Sequence, residues 1–254
     1  MLYLSCNEKD NLESFKRFDT NNWEQIKERI TYKVVNKKTI IDDNVIHQDC
    51  MDLAKVFIIS ELSMDRKNLD CYVITKEDLK RFDKKKEDII KHADENISNH
   101  RLRRIYDLKS TGSTREAFYP ISFFPAESML KTESNAFIRD SWEDEKNIMI
   151  VSNKYNALGA SYMLDFSTLR EIREEMDSDF YIIPSSIHQF MCISKKYLND
   201  IKHNVSQEEI EDDLLDMTYT INSENRYDND ILSYRIYYYS VSDGECLISI
   251  KQKL

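Results

Sequence analysis

The stretch FYIIPSSIHQFMCIS, residues 180–194, sets Ser185, Ser186 and His188 within four positions of one another, with Asp179 immediately before it. A hydroxyl, an imidazole and a carboxylate are the parts of nucleophilic catalysis: the ring takes the hydroxyl proton while the carboxylate orients the ring. Their spacing argues against that use. In an extended chain Ser186 and His188 share a face but stand about 7 Å apart, whereas a general base works at about 3 Å. The run also lacks the glycines that allow a strained nucleophile turn. The segment therefore reads as a reversal in which Pro184 ends a strand, Ser185 and Ser186 turn, and His188 opens the next strand. A Ser/His-dependent hydrolase or transferase, using Ser185, Ser186, His188 and Asp179, is the alternative.

Three other groupings have side chains suited to binding. His47 and Cys50, spaced H-x-x-C, supply half a zinc site, but no second pair with ligand spacing exists, since His92 and His100 lie eight apart. Asp49 reads as a helix cap with Cys50 turned to the core, and neither metal nor cofactor is expected. Arg101, Arg103 and Arg104, near Tyr106, form the concentrated basic segment, a pattern that can hold phosphates beneath stacked bases. In QEEIEDDLLD, Glu208, Glu211, Asp212 and Asp216 present carboxylates on a helix face, without the glycine-bent loop of a calcium site. Tyr237 and Tyr239 belong to an aromatic run typical of strands.

The elements that must position these groups follow from periodicity. NWEQIKERI reads as a short helix, TYKVV and LDCYVIT as strands, and DCMDLAKVFIISEL as a helix with Leu53, Ala54, Phe57, Ile58 and Leu62 at helical spacing. Thr75 with Asp78 boxes a helix or helix pair reaching residue 97. NIMIVSN, ASYMLDF, DFYIIP and IHQFMCI read as strands; a helix boxed by Thr168 and Glu171 buries Leu169, Ile172 and Met176. A second box, Ser206 with Glu209, opens an acidic helix, and Asp243-Gly244 turns a final hairpin. The class is α+β: a largely antiparallel sheet with helices on one face. The expected division is a polar lead (1–21), a helix-rich subdomain (22–97), a connector (98–146) and a C-terminal α+β subdomain (147–254).

Composition narrows the function. The 254 residues include 3 glycines, none near another, which argues against a Walker loop and a dinucleotide fingerprint. Five cysteines without a C-x-x-C point to reduced, mostly buried thiols. No apolar run approaches a membrane span, and the start meets charge too early for a signal peptide, so a cytoplasmic protein is expected, with no membrane partner. The net charge is −10, and residues 151–254 hold 10 Lys and Arg against 18 Asp and Glu. Such a surface repels phosphates, so nucleic acid is not expected.

Three strings, IHQDCMDLAKVFIISEL, IVSNKYNALGASYML and DFYIIPSSIHQF, resemble in order and spacing the bacterial domain-of-unknown-function family 5688. The likeness runs from Trp23 to the last hairpin and departs at Gln189, where the family carries an acidic residue. It implies a fold unit in a bacterial, intracellular setting and carries no mechanism. The functional expectation is thus a non-enzymatic interaction module showing an acidic, aromatic-bearing C-terminal surface to a protein partner. Its binding candidates are Arg101, Arg103, Arg104, Glu208, Glu211, Asp212, Tyr237 and Tyr239. An anti-defence protein acting through the acidic face is a further alternative.

Overall fold

The computed structural model describes residues 6–62, 69–99, 147–152, 157–202, 204–223, 230–242 and 244–250. Among the described residues, two five-stranded sheets carry the fold. The first contains β1 (Cys6–Glu8), β2 (Ile30–Asn36), β3 (His47–Cys50), β4 (Leu53–Leu62) and β5 (Leu69–Val73), in the order β1-β5-β4-β2 with β3 also on β4. Its helices are α1 (Trp23–Lys27), α2 (Lys76–Phe82) and α3 (Lys86–Asn99). The second contains β6 (Ile148–Val151), β7 (Phe180–Ser186), β8 (Gln189–Ser194), β9 (Ile236–Ser240) and β10 (Cys246–Ile250), in the order β10-β9-β7-β8-β6. Its helices are α4 (Phe166–Met176), α5 (Lys195–Ile201) and α6 (Gln207–Ser223). Apart from the parallel pairing of β1 with β5, the ladders are antiparallel. The α+β class is therefore observed.

Residues 49–62 are not a helix. They form the β3–β4 hairpin, turning at Met51 and Asp52 with Met51 at φ 60°. The helical spacing of Leu53, Ala54, Phe57, Ile58 and Leu62 misleads because almost every residue from Leu53 to Ile59 is buried. A run buried all round, rich in Val, Ile and Phe, is the signature of a central strand covered on both faces. β2 pairs along one edge of β4, and β3 and β5 share the other.

The second sheet is covered on both faces, and the alternation along β7 shows how. Phe180 and Ile182 enter a large core with Tyr237, Tyr239, Phe190, Leu169 and residues of the first sheet such as Tyr32, Val34 and Phe57. Tyr181 and Ile183 face the opposite way, toward Tyr197 and Leu198 of α5 and Ile210, Leu214 and Ile221 of α6. β7 is thus apolar at consecutive positions because each face has its own cover.

Helix ends follow local chemistry. Thr75 and Asp78 form the expected capping box on α2, and Asp78 also accepts from the Tyr72 hydroxyl at 3.0 Å. Ser206 and Glu209 exchange reciprocal hydrogen bonds at the start of α6. On α4, however, Asp165 is the cap, accepting from the Thr168 amide at 3.1 Å and hydroxyl at 2.6 Å. Its carboxylate is one of the best acceptors for amides left open at a helix start, so the helix begins earlier than the Thr168–Glu171 pairing implied. ASYMLDF, expected as a strand, coils as a 3-10 segment, Gly159–Leu164, entered through Leu158 at φ 60°. The short helix α5, capped by Ser194, was not anticipated.

Polar contacts tie the two sheets beside the shared core. Asp52, in the first sheet's hairpin turn, accepts from the Ser233 hydroxyl at 2.6 Å and the Tyr237 hydroxyl at 3.0 Å, and Asn36 donates to the Leu232 carbonyl at 3.0 Å. Asp52→Ala would leave two hydroxyls without this acceptor, a loss expected to cost about 1–3 kcal/mol. Urea unfolding followed by circular dichroism and by tyrosine fluorescence should give one coincident transition, shifted by that amount in the variant. Two separated transitions would contradict a shared core.

Candidate functional site

The catalytic alternative and the turn reading meet at the β7–β8 hairpin. Pro184 lies inside β7, and the register shifts between Pro184 and Ser186. Ser186 pairs with Gln189, so Ile187 and His188 make the turn while both serines remain in the strand. The reversal thus sits two positions beyond its expected place, just past the register shift in β7.

Three side chains of the hairpin, Ser185, Ser186 and His188, bond to backbone. The Ser185 hydroxyl donates to the Gln189 carbonyl at 2.9 Å, and the Ser186 hydroxyl accepts the His188 amide at 3.1 Å. His188 Nδ1 accepts the Leu158 amide at 3.2 Å, and its carbonyl accepts the Ser152 hydroxyl at 2.7 Å. Ile187 receives the Ala160 amide on its carbonyl at 3.3 Å. Burial holds the His188 ring below its ordinary value of 6.5, against the opposing pull of Asp230. A neutral ring can accept from Leu158; an imidazolium cannot.

Gly159 makes this approach possible. A Cβ there would lie 2.5 Å from the His188 carbonyl and 2.6 Å from both the Cα and the hydroxyl of Ser152. Three separate segments, around Ser152, Leu158–Ala160 and Ile187–His188, converge through backbone contact. The turn then seats Ile187, with Ala157 and Leu158, against Ile58, Leu69 and Cys71 of the first sheet.

Asp179 is not behind the imidazole. It sits at the head of β7, about 20 Å of strand from the tip, and accepts from Arg173 at 2.9 Å, Ser240 at 2.7 Å and Ser242 at 3.1 Å. Burial raises its pKa, but the hydrogen bonds from Ser240, Arg173 and Ser242 outweigh it and leave the carboxyl below its ordinary value. The four residues of the catalytic alternative are therefore divided between opposite ends of one strand.

The binding candidates separate as clearly. Arg101, Arg103 and Arg104 lie outside the described residues. Tyr237 and Tyr239 are buried; their hydroxyls donate to Asp52 and to Glu245 at 2.7 Å, and burial raises both phenols. They build the sheet and present no ring to solvent. Glu211 accepts from Tyr181 at 3.1 Å and Gln207 at 2.8 Å. Glu208 is exposed and Asp212 half-buried on the outer side of α6. His47 and Cys50 occupy a strand at an odd offset and so point to opposite faces, and no group of three or more metal-ligating side chains occurs among the described residues.

Sequence reasoning missed a pair of rings. Tyr219 on α6 and Tyr234 ahead of β9 are 56% and 37% exposed, with centroids 5.6 Å apart. Tyr219 continues the row Glu208, Asp212, Asp216 at helical spacing, and that period was the available signal. Tyr234 lies two residues ahead of β9, outside the strand that holds Tyr237 and Tyr239.

Gly159→Ala should lower stability by about 1–3 kcal/mol, because the new methyl meets backbone that has little room to yield. Acid should act through His188. The folded state depresses the ring's pKa, so the unfolded state takes up the proton first; the ring's contribution is complete above pH 6.5 and is lost as pH falls through the folded value. Urea melts from about pH 7 to about pH 5 should show a steeper loss in the parent protein than in His188→Gln. Equal slopes would contradict a neutral, packed imidazole.

No curated protein and no solved structure matches the chain. Among the described residues, no helix is long and apolar enough to cross a membrane. A family match does extend over residues 2–241, taking in the first sheet, strands β6 to β9 of the second and the Gly159–His188 junction. The chain belongs to the family of unknown function DUF5688.

Proposed function

We propose that the protein is a non-enzymatic interaction module, and that it binds a Lys/Arg-rich segment of a protein partner along the outer face of α6. The observation that carries this reading is the row Glu208, Asp212, Asp216, Tyr219 on one side of the helix, ending at the exposed Tyr219–Tyr234 ring pair. Helix α6 holds six carboxylates and no lysine or arginine. The same helix buries Ile210, Leu214 and Ile221 on its inner side, so a rigid support fixes the outer row.

The chemistry is complementary to a basic chain. Carboxylates spaced one helical turn apart attract successive cationic side chains, and the electron-rich faces of the tyrosines accept a guanidinium or ammonium at the end of the row. The ring pair replaces Tyr237 and Tyr239 as the aromatic part of this surface. Reduced attraction at high salt follows from the exposure of the charges.

A fluorescein-labelled peptide of alternating Arg and Ala provides the probe. Fluorescence anisotropy should show saturable binding at low salt that weakens as salt is raised. The Tyr219→Ala/Tyr234→Ala variant should bind about tenfold more weakly, and Asp212→Asn/Asp216→Asn should lose most of the salt dependence, with melting temperatures checking the fold of each. Peptide binding unchanged in both variants would contradict the proposal.

A further inference from the structure

The N-terminal half contains an open groove of about 450 Å³ whose chemistry is opposite to that of α6. It lies between the start of α1, the last turn of α2 and the first turns of α3, and its lining includes Trp23, Leu79, Lys80, Lys84, Lys85 and His92. Trp23 is half-buried and held from behind by Phe82, whose ring centroid is 5.9 Å away; His92 meets it edge-on at 5.6 Å. The Lys84 ammonium stands over the indole at 5.2 Å. Asp83 and Asp88 complete the lining.

The charges in the groove are not balanced. Among the described residues, no carboxylate forms an ion pair with Lys80, Lys84 or Lys85. Asp88 already accepts the Lys85 backbone amide at 2.9 Å, and His92 lies 3.4 Å from Glu95. Three ammonium groups and the two carboxylates of Asp83 and Asp88 therefore line the groove around Trp23, an excess of one positive charge. A basic concavity in a chain of net charge −10 is the more selective for it, since the remaining surface repels the same ligands.

We infer that this groove binds a phosphorylated aromatic small molecule, the class of a nucleoside monophosphate. The flat ring of the ligand takes the place of the Lys84 ammonium over Trp23, beside Leu79, and its phosphate takes the displaced Lys84 and Lys85, with Lys80 at the rim. Lysine suits such a group as a mobile point charge that needs no glycine loop. The groove's volume falls within the range of small-molecule sites. This site is separate from the α6 face, so either can fail without the other.

Isothermal titration calorimetry with adenosine 5′-monophosphate tests the inference, with adenosine and inorganic phosphate titrated separately. The nucleotide should saturate with a Kd below about 1 mM, and each fragment should bind at least about tenfold more weakly. Lys84→Ala/Lys85→Ala, both outside the buried core, should weaken nucleotide binding by about tenfold or more at an unchanged melting temperature. Two outcomes would overturn the inference: no saturation by the nucleotide at about 10 mM, or an unchanged Kd in the lysine variant.

Discussion

The arrangement depends on one close approach: the backbone of Gly159 against the His188 carbonyl and Ser152. At that spacing no side chain fits, and His188 lies 29 residues beyond Gly159 in the chain. Once they meet, the Leu158 amide reaches the imidazole, the Ala160 amide reaches Ile187, and Ile187 can seat on the first sheet. The junction thus converts a hairpin tip, ordinarily exposed, into part of the packing between two sheets. It also explains why a histidine flanked by serines need not be catalytic. Its Nδ1 accepts the Leu158 amide, and the Ser185 and Ser186 hydroxyls bond to the backbone of the same turn.

With the hairpin fixed, the sheets support two outer surfaces of different chemistry. β7 is covered on both faces, so α5 and α6 are held on one side while the other joins the first sheet. The outer row of α6 is then acidic, and the groove by Trp23 is basic. On the proposed reading, the two surfaces draw ligands of opposite charge and each field disfavours the other's ligand.

The sequence foretold those elements whose local signal agreed with their surroundings. The Thr75 and Ser206 boxes, the buried stripe of α4, the β9–β10 hairpin and the reversal near His188 all come from short-range chemistry that packing does not oppose. The failures have physical causes of their own. Leu53–Leu62 mimics a helix because burial on both faces erases the two-residue alternation of a strand. The 3-10 segment at Gly159 was read as extended because its apolar residues are contiguous, and nothing local reveals that a carbonyl 29 residues later requires the glycine. For the candidate sites, residue type was legible and partnership was not. Asp179 is near His188 in sequence yet belongs with Arg173 and Ser240, and Tyr237 is a buried donor to Asp52. The Tyr219–Tyr234 pair joins a helix to a segment before a strand, a proximity that only the fold supplies.

The account's central claim concerns the state of one imidazole, and proton–nitrogen correlation spectra of the histidine rings across a pH titration read that state directly. With Leu158 donating to Nδ1, His188 should carry its proton on Nε2 near neutrality and should acquire a second one only below pH 6.5. A ring protonated on Nδ1, or one titrating above that value, would show the imidazole poised otherwise and would contradict the junction described.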